Sequence, residues 1–414
     1  MKILFLHRNF PAQFKHLIAH YTQDPNNQIA FITGRKEGNI SGVTKLVYEL
    51  ARQVPDNAHR YLRFFEESII HGQSCAQKAL SLKNQGFIPD IIFGHSWGST
   101  LFMKDIFPDT PLLTYFEWFY RAYGSDVDFE KQGPLPVNLE ALMRVKNSHI
   151  LIDLYSCDHG LSPTQWQLSQ FPPEYHNKIS VIHDGINTDI LKPDPDAKLV
   201  IPHLNLDLSE VDEIITYVSR GLEPYRGFHK FMEAVPLILE KRPKAHIVIV
   251  GEDRVYYGST LPDNKTYKQE MTEKISFDTS RVHFTGRLPY DLYLKVLQVS
   301  SAHIYLTYPF VLSWSVMEAM SAGCLVIGSN TPPVREVITD GENGLLADFF
   351  SPQEIAERVD EVLNHPDKMQ KIRNNARESI IEKYDIKKLL PKQLELINSL
   401  IEVSKANIKS HSHI

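Results

Sequence analysis

Two arginines six residues apart stand in the stretch SRGLEPYRGFHKF, and their chemistry suits an anion. Arg220 follows an apolar run, Arg226 precedes Gly227, and a helical pattern begins near His229. Guanidinium groups donate hydrogen bonds in a fork that matches phosphate oxygens, and the first N–H groups of a helix add further donors. The stretch therefore suits a diphosphate. From these residues alone, a pair of solvated surface arginines explains it equally well.

A single carboxylate, Glu318, lies within the largely apolar stretch YPFVLSWSVMEAMSAG. The pattern predicts a helix over 315–322, so Glu318 lies one turn from its start, and the loop 309–313 directs N–H groups to the same side. The two oxygens of a carboxylate can accept hydrogen bonds from both hydroxyls of a ribose. A helical Glu paired with a neighbouring cation is the alternative interpretation.

No metal site is predicted. Asp126–Asp128 and Asp194–Asp196 match the Asp-x-Asp pattern by letters only, because the first follows no clear strand and the second lies in a segment that reads as a linker. Asn330–Pro333 and Asp340–Gly344 follow apolar runs, and ordinary turn chemistry accounts for most of their residues. The three cysteines form no CxxC pair and are expected to be buried, reduced thiols. They are Cys75, Cys157 and Cys324.

Apolar runs alternate with helical spacing along the chain, which predicts an α/β fold with parallel sheets. Two such sheets bind ligands beyond the carboxyl ends of their strands, where Arg220 and the loop 309–313 are expected to lie. In the first half, strands are predicted at 2–7, 28–34, 90–95, 111–117 and 149–153, and helices near 14–21 and 69–85. In the second half, strands are predicted at 213–220, 245–252, 282–287, 302–308 and 324–329, and helices at 229–241, 290–300, 315–322 and 353–364.

The domain boundaries are placed where the periodicity breaks. Residues 191–212 contain three prolines and several acidic residues, a composition typical of a linker. The N-terminal domain is therefore predicted over 1–190 and the C-terminal domain over 213–387. A helix at about 388–408 is expected to pack back on the N-terminal domain.

The composition excludes some classes of protein. The 414 residues are 43% hydrophobic and 23% charged, with a net charge of -6 and no long basic run, which argues against a nucleic-acid-binding protein. No apolar run approaches the roughly 18 residues of a membrane span, and the apolar run near Met1 is too short for a secretory signal. We therefore expect a cytoplasmic protein, and weak peripheral association with the inner face of a membrane stays open.

The order of these landmarks resembles the nucleotide-binding half of the GT-B glycosyltransferases, specifically the large retaining family 4. The resemblance covers most of residues 180–385 and is weaker over 1–170. It implies two Rossmann-like, doubly wound domains that face a central cleft. The landmarks are the Arg220–Gly227 segment, VGE at 250–252, FTGR at 284–287, the Glu318 helix, PPVREV at 332–337 and GENGLL at 341–346, preceded by HDGINTDILKPD at 183–194.

The resemblance also implies a donor site. Arg220 and Arg226 would bind the diphosphate, with Arg226 in the place of a Lys, and Glu318 would hold the ribose. The first Glu of the family's Glu-x7-Glu motif, which contacts donor-sugar hydroxyls, is replaced here by Phe310, so sugar recognition would fall on the backbone that follows. The implied donor-binding residues are Gly251, Glu252, Thr285, Gly286, Arg287, Leu288, Phe310, Val311, Leu312, Ser313, Trp314, Ser315 and Glu318.

In the N-terminal half, the chain departs from the family pattern. HRNFPAQF replaces the usual Gly-rich loop after the first strand, and Phe116 or Glu117 in TYFEWFYR is the best match to a position where a His is common. Glu117 is therefore a candidate catalytic carboxylate, beside Arg220, Arg226 and Glu318. His95 is the nearest alternative, although a structural hydrogen bond is the simpler reading of a lone His at a strand end. The acceptor-side candidates are Asn9, Phe10, His95, Trp97, Glu117 and Arg121.

The implied function is that of a retaining, metal-independent glycosyltransferase of the hexosyltransferase type. It would move a sugar from a nucleotide sugar such as a UDP-sugar to a glycan, lipid-linked or other glycoconjugate acceptor, as in polysaccharide biosynthesis. No cofactor and no nucleic-acid partner are expected, and the protein would be a monomer or homodimer. Phe310 and the missing His favour one alternative, a nucleotide-sugar-binding pseudoenzyme or regulatory subunit. A nucleotide-sugar epimerase or phosphorylase-type enzyme on the same fold is another.

Overall fold

The computed structural model describes residues 1–411, and it describes side chains through residue 407. Within this range the chain forms two compact units. Unit 1 contains Met1–Gly185 together with the chain from Ile386 onward, and unit 2 contains Ile186–Asp385. Each unit is built on one parallel sheet in the Rossmann-like manner that the alternation of strands and helices predicts, so the predicted fold class is confirmed.

Unit 1 carries a parallel sheet whose strand order changes direction next to its first strand. The strands are β1 (Lys2–Leu6), β2 (Gln28–Thr33), β3 (Val43–Val47), β4 (Ile91–His95), β5 (Leu112–Tyr115), β6 (His159–Ser162) and β7 (Ile179–Val181). The helices are α1 (Lys15–Tyr21), α2 (Arg63–Asn84), α3 (Met103–Ile106), α4 (Val137–Lys146), α5 (Ser148–Ser156) and α6 (Gln165–Gln170). The strand order is β3-β2-β1-β4-β5-β6-β7.

Alternate residues of β1 serve the two faces of this sheet. Leu4 belongs to a buried cluster with Cys75 of α2, whereas Phe5 belongs to a second cluster with Leu17 of α1. Successive side chains of a strand point to opposite faces, so a strand covered on both faces is apolar throughout. This explains why KILFL has no polar alternation.

Unit 2 repeats the arrangement. Its strands are β8 (Val200–Ile201), β9 (Leu206–Asp207), β10 (Ile214–Gly221), β11 (His246–Glu252), β12 (Val282–Gly286), β13 (Ala302–Tyr305), β14 (Val326–Ser329) and β15 (Leu345–Ala347). Its helices are α7 (Phe228–Lys241), α8 (Tyr267–Lys274), α9 (Tyr290–Gln298), α10 (Trp314–Ser321), α11 (Pro332–Arg335), α12 (Pro352–Asn364) and α13 (Pro366–Lys383). The parallel order is β12-β11-β10-β13-β14-β15, and β8 and β9 form a separate antiparallel pair.

The last helix, α14 (Ile386–His411), belongs to unit 1. Its residues Ile397 and Ile401 are buried in the cluster that contains Phe5 and Leu17. Gln393 of the same helix donates a hydrogen bond from Nε2 to the carbonyl of His183 at 3.1 Å. Unit 1 is therefore assembled from two separate parts of the chain.

Two segments that the sequence analysis assigned have a different structure. Residues 149–153, predicted as a strand, lie in α5, where His149, Ile150, Asp153 and Leu154 form the buried face of a helix. The predicted linker 191–212 is part of unit 2, and four of its apolar residues are buried in that unit's core. They are Leu191, Leu199, Ile201 and Leu208.

No helix within residues 1–411 combines the length and the hydropathy that crossing a membrane requires.

Candidate functional site

The crevice of unit 2 lies where its strand order reverses. β10 and β13 are hydrogen-bonded neighbours, but the chain continues from β10 to β11 on one side and reaches β13 on the other. Rossmann-like sheets bind ligands outside the carboxyl ends of the two strands at such a switch point. The segments that follow these ends are residues 222–227, and residues 306–313 with the start of α10. The structure therefore places Arg220, Arg226 and the loop before Glu318 around one crevice.

Arg226 is buried, with 7% of its surface exposed. Its Nη1 donates hydrogen bonds to Thr307 Oγ1 at 3.0 Å and to the carbonyl of Val311 at 2.9 Å. Its own carbonyl accepts a hydrogen bond from the hydroxyl of Tyr217 at 2.7 Å. Arg226 therefore ties the loop after β10 to the loop after β13, and at least one of its nitrogens serves this purpose.

Arg220 differs from Arg226 because its side chain is exposed. Its guanidinium carbon lies 3.9 Å from the centroid of the Tyr256 ring, and the guanidinium of Arg254 lies 4.6 Å from the same centroid. A cation over an aromatic face is attracted to the ring and is held in orientation. Arg220 thus presents a fixed positive charge at the carboxyl edge of β10, available to an anionic ligand.

Glu223, which the sequence analysis did not select, fixes the position of Tyr256. It is fully buried, and its Oε2 accepts hydrogen bonds from the backbone N–H groups of Tyr256 and Tyr257. Burial raises the pKa of Glu223 above its ordinary value, and the two N–H groups oppose that rise. One carboxylate between two arginines therefore anchors the loop that follows β11. The sequence signal that could have identified Glu223 is its position as an acidic residue between two arginines in SRGLEPYRG.

Glu318 lies on α10 and accepts a hydrogen bond at 2.5 Å from the hydroxyl of Tyr293 on α9. It is half-buried, as is Tyr293. Ser313 caps α10 by accepting a hydrogen bond from the backbone N–H of Ser315 at 3.3 Å. The helix starts one residue before the predicted start, which leaves Glu318 in its second turn. Tyr293 is a second residue that sequence reasoning missed.

Phe310 is buried with 5% of its surface exposed. Its ring centroid lies 5.2 Å from that of Tyr225 and 5.1 Å from that of Tyr257, in edge-to-face contacts. The side chain therefore packs in an aromatic cluster. Trp314, at the start of α10, is 41% exposed. The Ser313 N–H donates to the Tyr305 hydroxyl at 2.9 Å, which ties the loop before α10 to the end of β13.

The residues predicted to surround the nucleobase follow β11 and β12. Glu252 accepts a hydrogen bond from the Tyr256 hydroxyl at 2.7 Å, and this bond lowers the pKa of its carboxyl group. Arg287 Nη1 lies 3.5 Å from Glu252 Oε1 and its side chain is 80% exposed. Gly286 has a φ of 68°, and Leu288 is buried. Thr285 donates to the carbonyl of Ile249 at 3.3 Å.

Gly251 lies near the end of β11, where it approaches the end of β10 closely. A Cβ added to it would stand 2.8 Å from the Ser219 carbonyl oxygen and 3.0 Å from Leu222 Cδ2. Only a residue without a side chain fits this position. Of the predicted donor residues, Gly251 therefore has a clear packing reason for its identity.

Unit 1 has its own switch point between β1 and β4. His7 follows β1 and His95 ends β4. Their ring centroids are 4.8 Å apart, and the Trp97 ring is 4.3 Å from that of His95. Glu117 Oε2 lies 3.7 Å from His95 Nε2. Burial lowers the pKa of His95 well below its ordinary value, so this contact joins a neutral imidazole to a carboxylate. The structure thus brings His95, Trp97 and Glu117 together.

Arg8, which sequence reasoning did not select, ties this cluster to α2. Its Nε donates to the Trp97 carbonyl at 2.8 Å and its Nη1 pairs with Glu67 at 2.8 Å. Asn9 is exposed, and its N–H donates to His7 Nδ1 at 2.8 Å. The Phe10 ring packs edge-to-face on Phe31, with centroids 4.9 Å apart.

Arg121 is engaged elsewhere. Its guanidinium donates to the carbonyls of Ser169 and Gln170 at the end of α6, at 3.2 Å and 2.8 Å. Cations at a helix C-terminus satisfy carbonyls that have no partner within the helix. The structure therefore gives Arg121 a helix-capping contact and does not bring it into the cluster around His95.

The Asp-x-Asp pairs form turns. Asp128 accepts hydrogen bonds from the N–H groups of Gly124 and Ser125 at 3.0 Å and 3.3 Å, and Asp194 accepts from the N–H of Asp196 at 3.1 Å. Among the residues that the structure describes, no group of three or more His, Cys, Asp or Glu side chains is placed to hold a metal ion.

Two family models match successive parts of the chain. The model of the glycosyl transferase family 4 group matches residues 25–191, most of which belong to unit 1. The model of the glycosyl transferases group 1 matches residues 205–379, within unit 2.

Curated relatives are 22–27% identical over part of the chain. The trehalose synthase of Pyrococcus furiosus is 24% identical over 260 residues, which is 56% of this chain and 60% of that protein. The D-inositol 3-phosphate glycosyltransferase of Corynebacterium glutamicum is 22% identical over 188 residues, or 45% and 44%. The matched region thus spans about half the length of these relatives.

Solved structures share the fold over nearly the whole chain. Sucrose-phosphate synthase from Thermosynechococcus elongatus is 13% identical with a TM-score of 0.72, covering 97% of this chain and all of that chain. HepE of Anabaena, solved in complex with UDP and glucose, is 16% identical with a TM-score of 0.68, covering 96% and 100%. At these identities the likeness establishes the fold, which is GT-B. With both halves matched by glycosyltransferase models, the chain belongs to the group 1 glycosyltransferases of family 4.

Proposed function

We propose that this protein transfers a sugar from a nucleoside-diphosphate sugar to a hydroxyl of a glycan, lipid-linked or other glycoconjugate acceptor, with retention at the anomeric carbon and without a metal ion. The observation that carries the proposal is the crevice of unit 2. An exposed guanidinium, Arg220, lies at the carboxyl end of β10, and a helix carboxylate, Glu318, lies on α10, which follows β13. The family to which the chain belongs gives these two groups a nucleotide sugar as their ligand.

The proposed chemistry depends on charge that appears on the leaving group. When the bond between the sugar carbon and the diphosphate breaks, negative charge grows on the diphosphate and positive charge grows on the sugar ring. Arg220 is already oriented by Tyr256, and Arg226 adds a buried positive charge beside it. Because these groups are held in place before the reaction, they stabilise the leaving group without reorganising. The N–H groups at the start of α10 would add to this effect.

Donor recognition is divided among separate elements in this proposal. Glu318 accepts hydrogen bonds from the ribose, and residues 285–288 with Glu252 border the nucleobase. The donor sugar meets the backbone of residues 311–313, because the Phe310 side chain is turned into the aromatic cluster. A backbone offers few acceptors, which makes the identity of the sugar depend on the shape of this loop.

On the acceptor side, the cluster of unit 1 offers a carboxylate and an aromatic face. Glu117, with a side chain that is 12% exposed, is the candidate carboxylate of this cluster. Trp97 offers a ring on which a sugar can stack. His95 is a neutral imidazole in this cluster, and its Nε2 contacts the Glu117 carboxylate.

A thermal-shift screen with UDP-, GDP-, ADP- and TDP-sugars tests donor binding. Stabilisation by one nucleotide class is expected, and it should be lost in Arg220→Ala and in Glu318→Ala. Stabilisation by none of the nucleotides contradicts the proposal. Release of the nucleoside diphosphate by the wild-type chain, without EDTA sensitivity, would support metal-independent turnover.

Phe310 favours one second candidate, a nucleotide-sugar-binding protein without turnover. Tight donor binding without any product, in the presence of a panel of saccharide and lipid-linked acceptors, would support that candidate over the transferase. An epimerised sugar or a free sugar phosphate as product would contradict both, and NMR of the product distinguishes these outcomes.

A further inference from the structure

We propose that His246 and His283 form an exchangeable binding site for a divalent transition-metal ion of the class of Zn²⁺, Ni²⁺ and Cu²⁺. The two residues lie in unit 2, at the end of its sheet that is remote from the crevice. The inference goes beyond the proposed function and does not depend on it.

The two histidines stand on one face of the sheet, on neighbouring strands. His246 is the first residue of β11, and His283 is the second residue of β12, the strand at the edge of the sheet. The parallel register places His283 beside Val248. Residues two apart on a strand point to the same face, so His246 shares its face with Val248 and therefore with His283.

The two rings have the spacing of two ligands of one metal ion. His246 Nδ1 lies 2.9 Å from His283 Nε2, the ring planes differ by 6°, and the ring centroids are 5.3 Å apart. Imidazole nitrogens that bind one ion at roughly 2.0–2.1 Å stand about 2.9 Å apart at a right angle and about 3.3 Å apart at a tetrahedral angle. The two strands therefore hold the nitrogens close to ligand geometry.

Without an ion, the same spacing accommodates one hydrogen bond, in which one ring donates its N–H to the other. An ion replaces this bond when the donating ring moves its proton to its other nitrogen, because neutral imidazole has two tautomers. Both facing nitrogens then offer lone pairs, and a small rotation of each ring directs them to one point. Both side chains are half-buried, so water reaches the pair and completes the coordination.

The charges around the pair tolerate a cation. Arg281 and Asp278 lie close enough to act on His246 electrostatically, with opposite signs. Arg281 Nε pairs with Asp278 Oδ2 at 2.8 Å, and its Nη1 donates to the carbonyls of Arg242 and Pro243, at 3.2 Å each, beyond the end of α7. The guanidinium is thus already occupied, and its charge is balanced by the carboxylate.

The chemistry of the ligands selects the class of ion. Imidazole nitrogen suits Zn²⁺, Ni²⁺ and Cu²⁺, whereas Mg²⁺ and Ca²⁺ prefer oxygen ligands. Two protein ligands are fewer than the three or four that hold a catalytic or structural zinc, so the ion exchanges with solution. Glu252, at the crevice end of β11, is six residues from His246, or about 20 Å along the strand. The ion therefore has no part in sugar transfer.

The test uses the full chain carrying His411→Gln and His413→Gln, because a His-x-His sequence can itself bind such ions. After treatment with a chelator, calorimetry measures the Tm of unit 2 against the concentration of Zn²⁺ or Mg²⁺. Above the dissociation constant, each tenfold increase in Zn²⁺ should raise the Tm by about 3–6 °C, and Mg²⁺ should not. Adding His246→Gln or His283→Gln should abolish the Zn²⁺ effect.

The double variant of the pair should lose no more than either single variant, because both nitrogens are needed for one site. The matched control is His203→Gln, which removes an exposed imidazole of the same unit and should keep the full Zn²⁺ effect. An equal rise in Tm with and without the pair overturns the proposal, as does loss in only one of the two single variants. If a variant does not fold, electron paramagnetic resonance of the tail-substituted chain with one equivalent of Cu²⁺ decides. Coupling to two imidazole nitrogens supports the site, and coupling to one or none overturns it.

Discussion

The two arginines that the sequence treats alike should behave differently when each is replaced by Met. Arg226→Met removes two charge-assisted hydrogen bonds, to Thr307 and Val311 at 3.0 Å and 2.9 Å, while the Met side chain keeps most of the apolar stem in place. At the low end of their range such bonds contribute about 1.5 kcal/mol each, or about 3 kcal/mol together. Arg220→Met removes an exposed cation–π contact, which contributes about 0.5–1 kcal/mol.

These free energies translate into separate melting shifts. For a domain of about 200 residues, 1 kcal/mol lowers the Tm by about 2–4 °C, so Arg226→Met should lower the Tm of unit 2 by about 6–12 °C. Arg220→Met should lower it by about 1–4 °C. The order reverses for the ligand, because only Arg220 presents its guanidinium to solvent. Arg220→Met should weaken nucleoside-diphosphate binding by about tenfold to a hundredfold.

The assay is differential scanning calorimetry of the full chain without nucleotide, followed by titration with the nucleotide that stabilises the wild type. The reasoning fails if Arg226→Met melts within about 2 °C of the wild type, because the two hydrogen bonds would then carry little free energy. It also fails if Arg220→Met melts as low as Arg226→Met. Arg226→Lys tests the geometry, since an ammonium keeps the charge but not the fork of donors.

Three further outcomes are expected. Unfolding free energy should fall as the pH drops below about 6.5, because burial lowers the pKa of His303 to about 3 and the unfolded chain takes up the proton first; His303→Gln should reduce the slope by up to ~1.4 kcal/mol per pH unit in equilibrium denaturation. Gly227→Ala should destabilise unit 2 by about 2–4 kcal/mol in urea denaturation, because its φ is 67° and the added Cβ would lie 2.3 Å from Leu306 Cβ. Glu223→Ala should speed tryptic cleavage after Arg254 by at least about tenfold, because two backbone N–H groups lose their acceptor.

The Gly227 prediction has a matched control, and each of the three has a result that would contradict it. Gly286→Ala shares the positive φ, at 68°, but meets no atom within 4 Å, so it should cost only about 1–2 kcal/mol. Equal losses for Gly227 and Gly286 would contradict the steric argument. An unchanged pH slope in His303→Gln, or an unchanged cleavage rate after Arg254 in Glu223→Ala, would contradict the other two arguments.

The sequence predicted the features that depend on local pattern. Alternating apolar runs predicted the two parallel sheets, and the helix at 315–322 was placed within one residue of α10. The roles assigned to Arg220, Glu318 and Glu117 stay predictions, although the structure puts each one at or just beyond the end of a parallel strand or on the helix that follows. A residue's position at the end of a strand can be read from the local sequence. In a parallel sheet that position also places the residue at the edge where ligands bind.

The sequence could not predict features that depend on distant partners. Residues 191–212 have the composition of a linker, yet Leu199 and Ile201 are buried. Their burial could not be predicted because the apolar residues of this segment show no sustained period of a strand or a helix. The strand predicted at 149–153 is a helix, because three apolar residues in a row conceal which of them faces the core. Arg226 reads as a surface charge until the acceptors 81 and 85 residues away are known.

Because α14 belongs to unit 1, the two units complete their folding in a particular order during synthesis. Unit 2 joins the rest of the chain at two neighbouring points, since the Ile186 N–H donates to the Tyr384 carbonyl at 2.8 Å, and it is continuous in sequence. Domains usually complete their folding from the N-terminus onward as the ribosome releases them. Here unit 1 leaves the ribosome first but lacks Ile397 and Ile401 until the end. Unit 2 can therefore finish folding before unit 1. Until α14 is synthesised, the apolar surface of unit 1 that α14 covers beside α1 stays exposed to solvent and to chaperones.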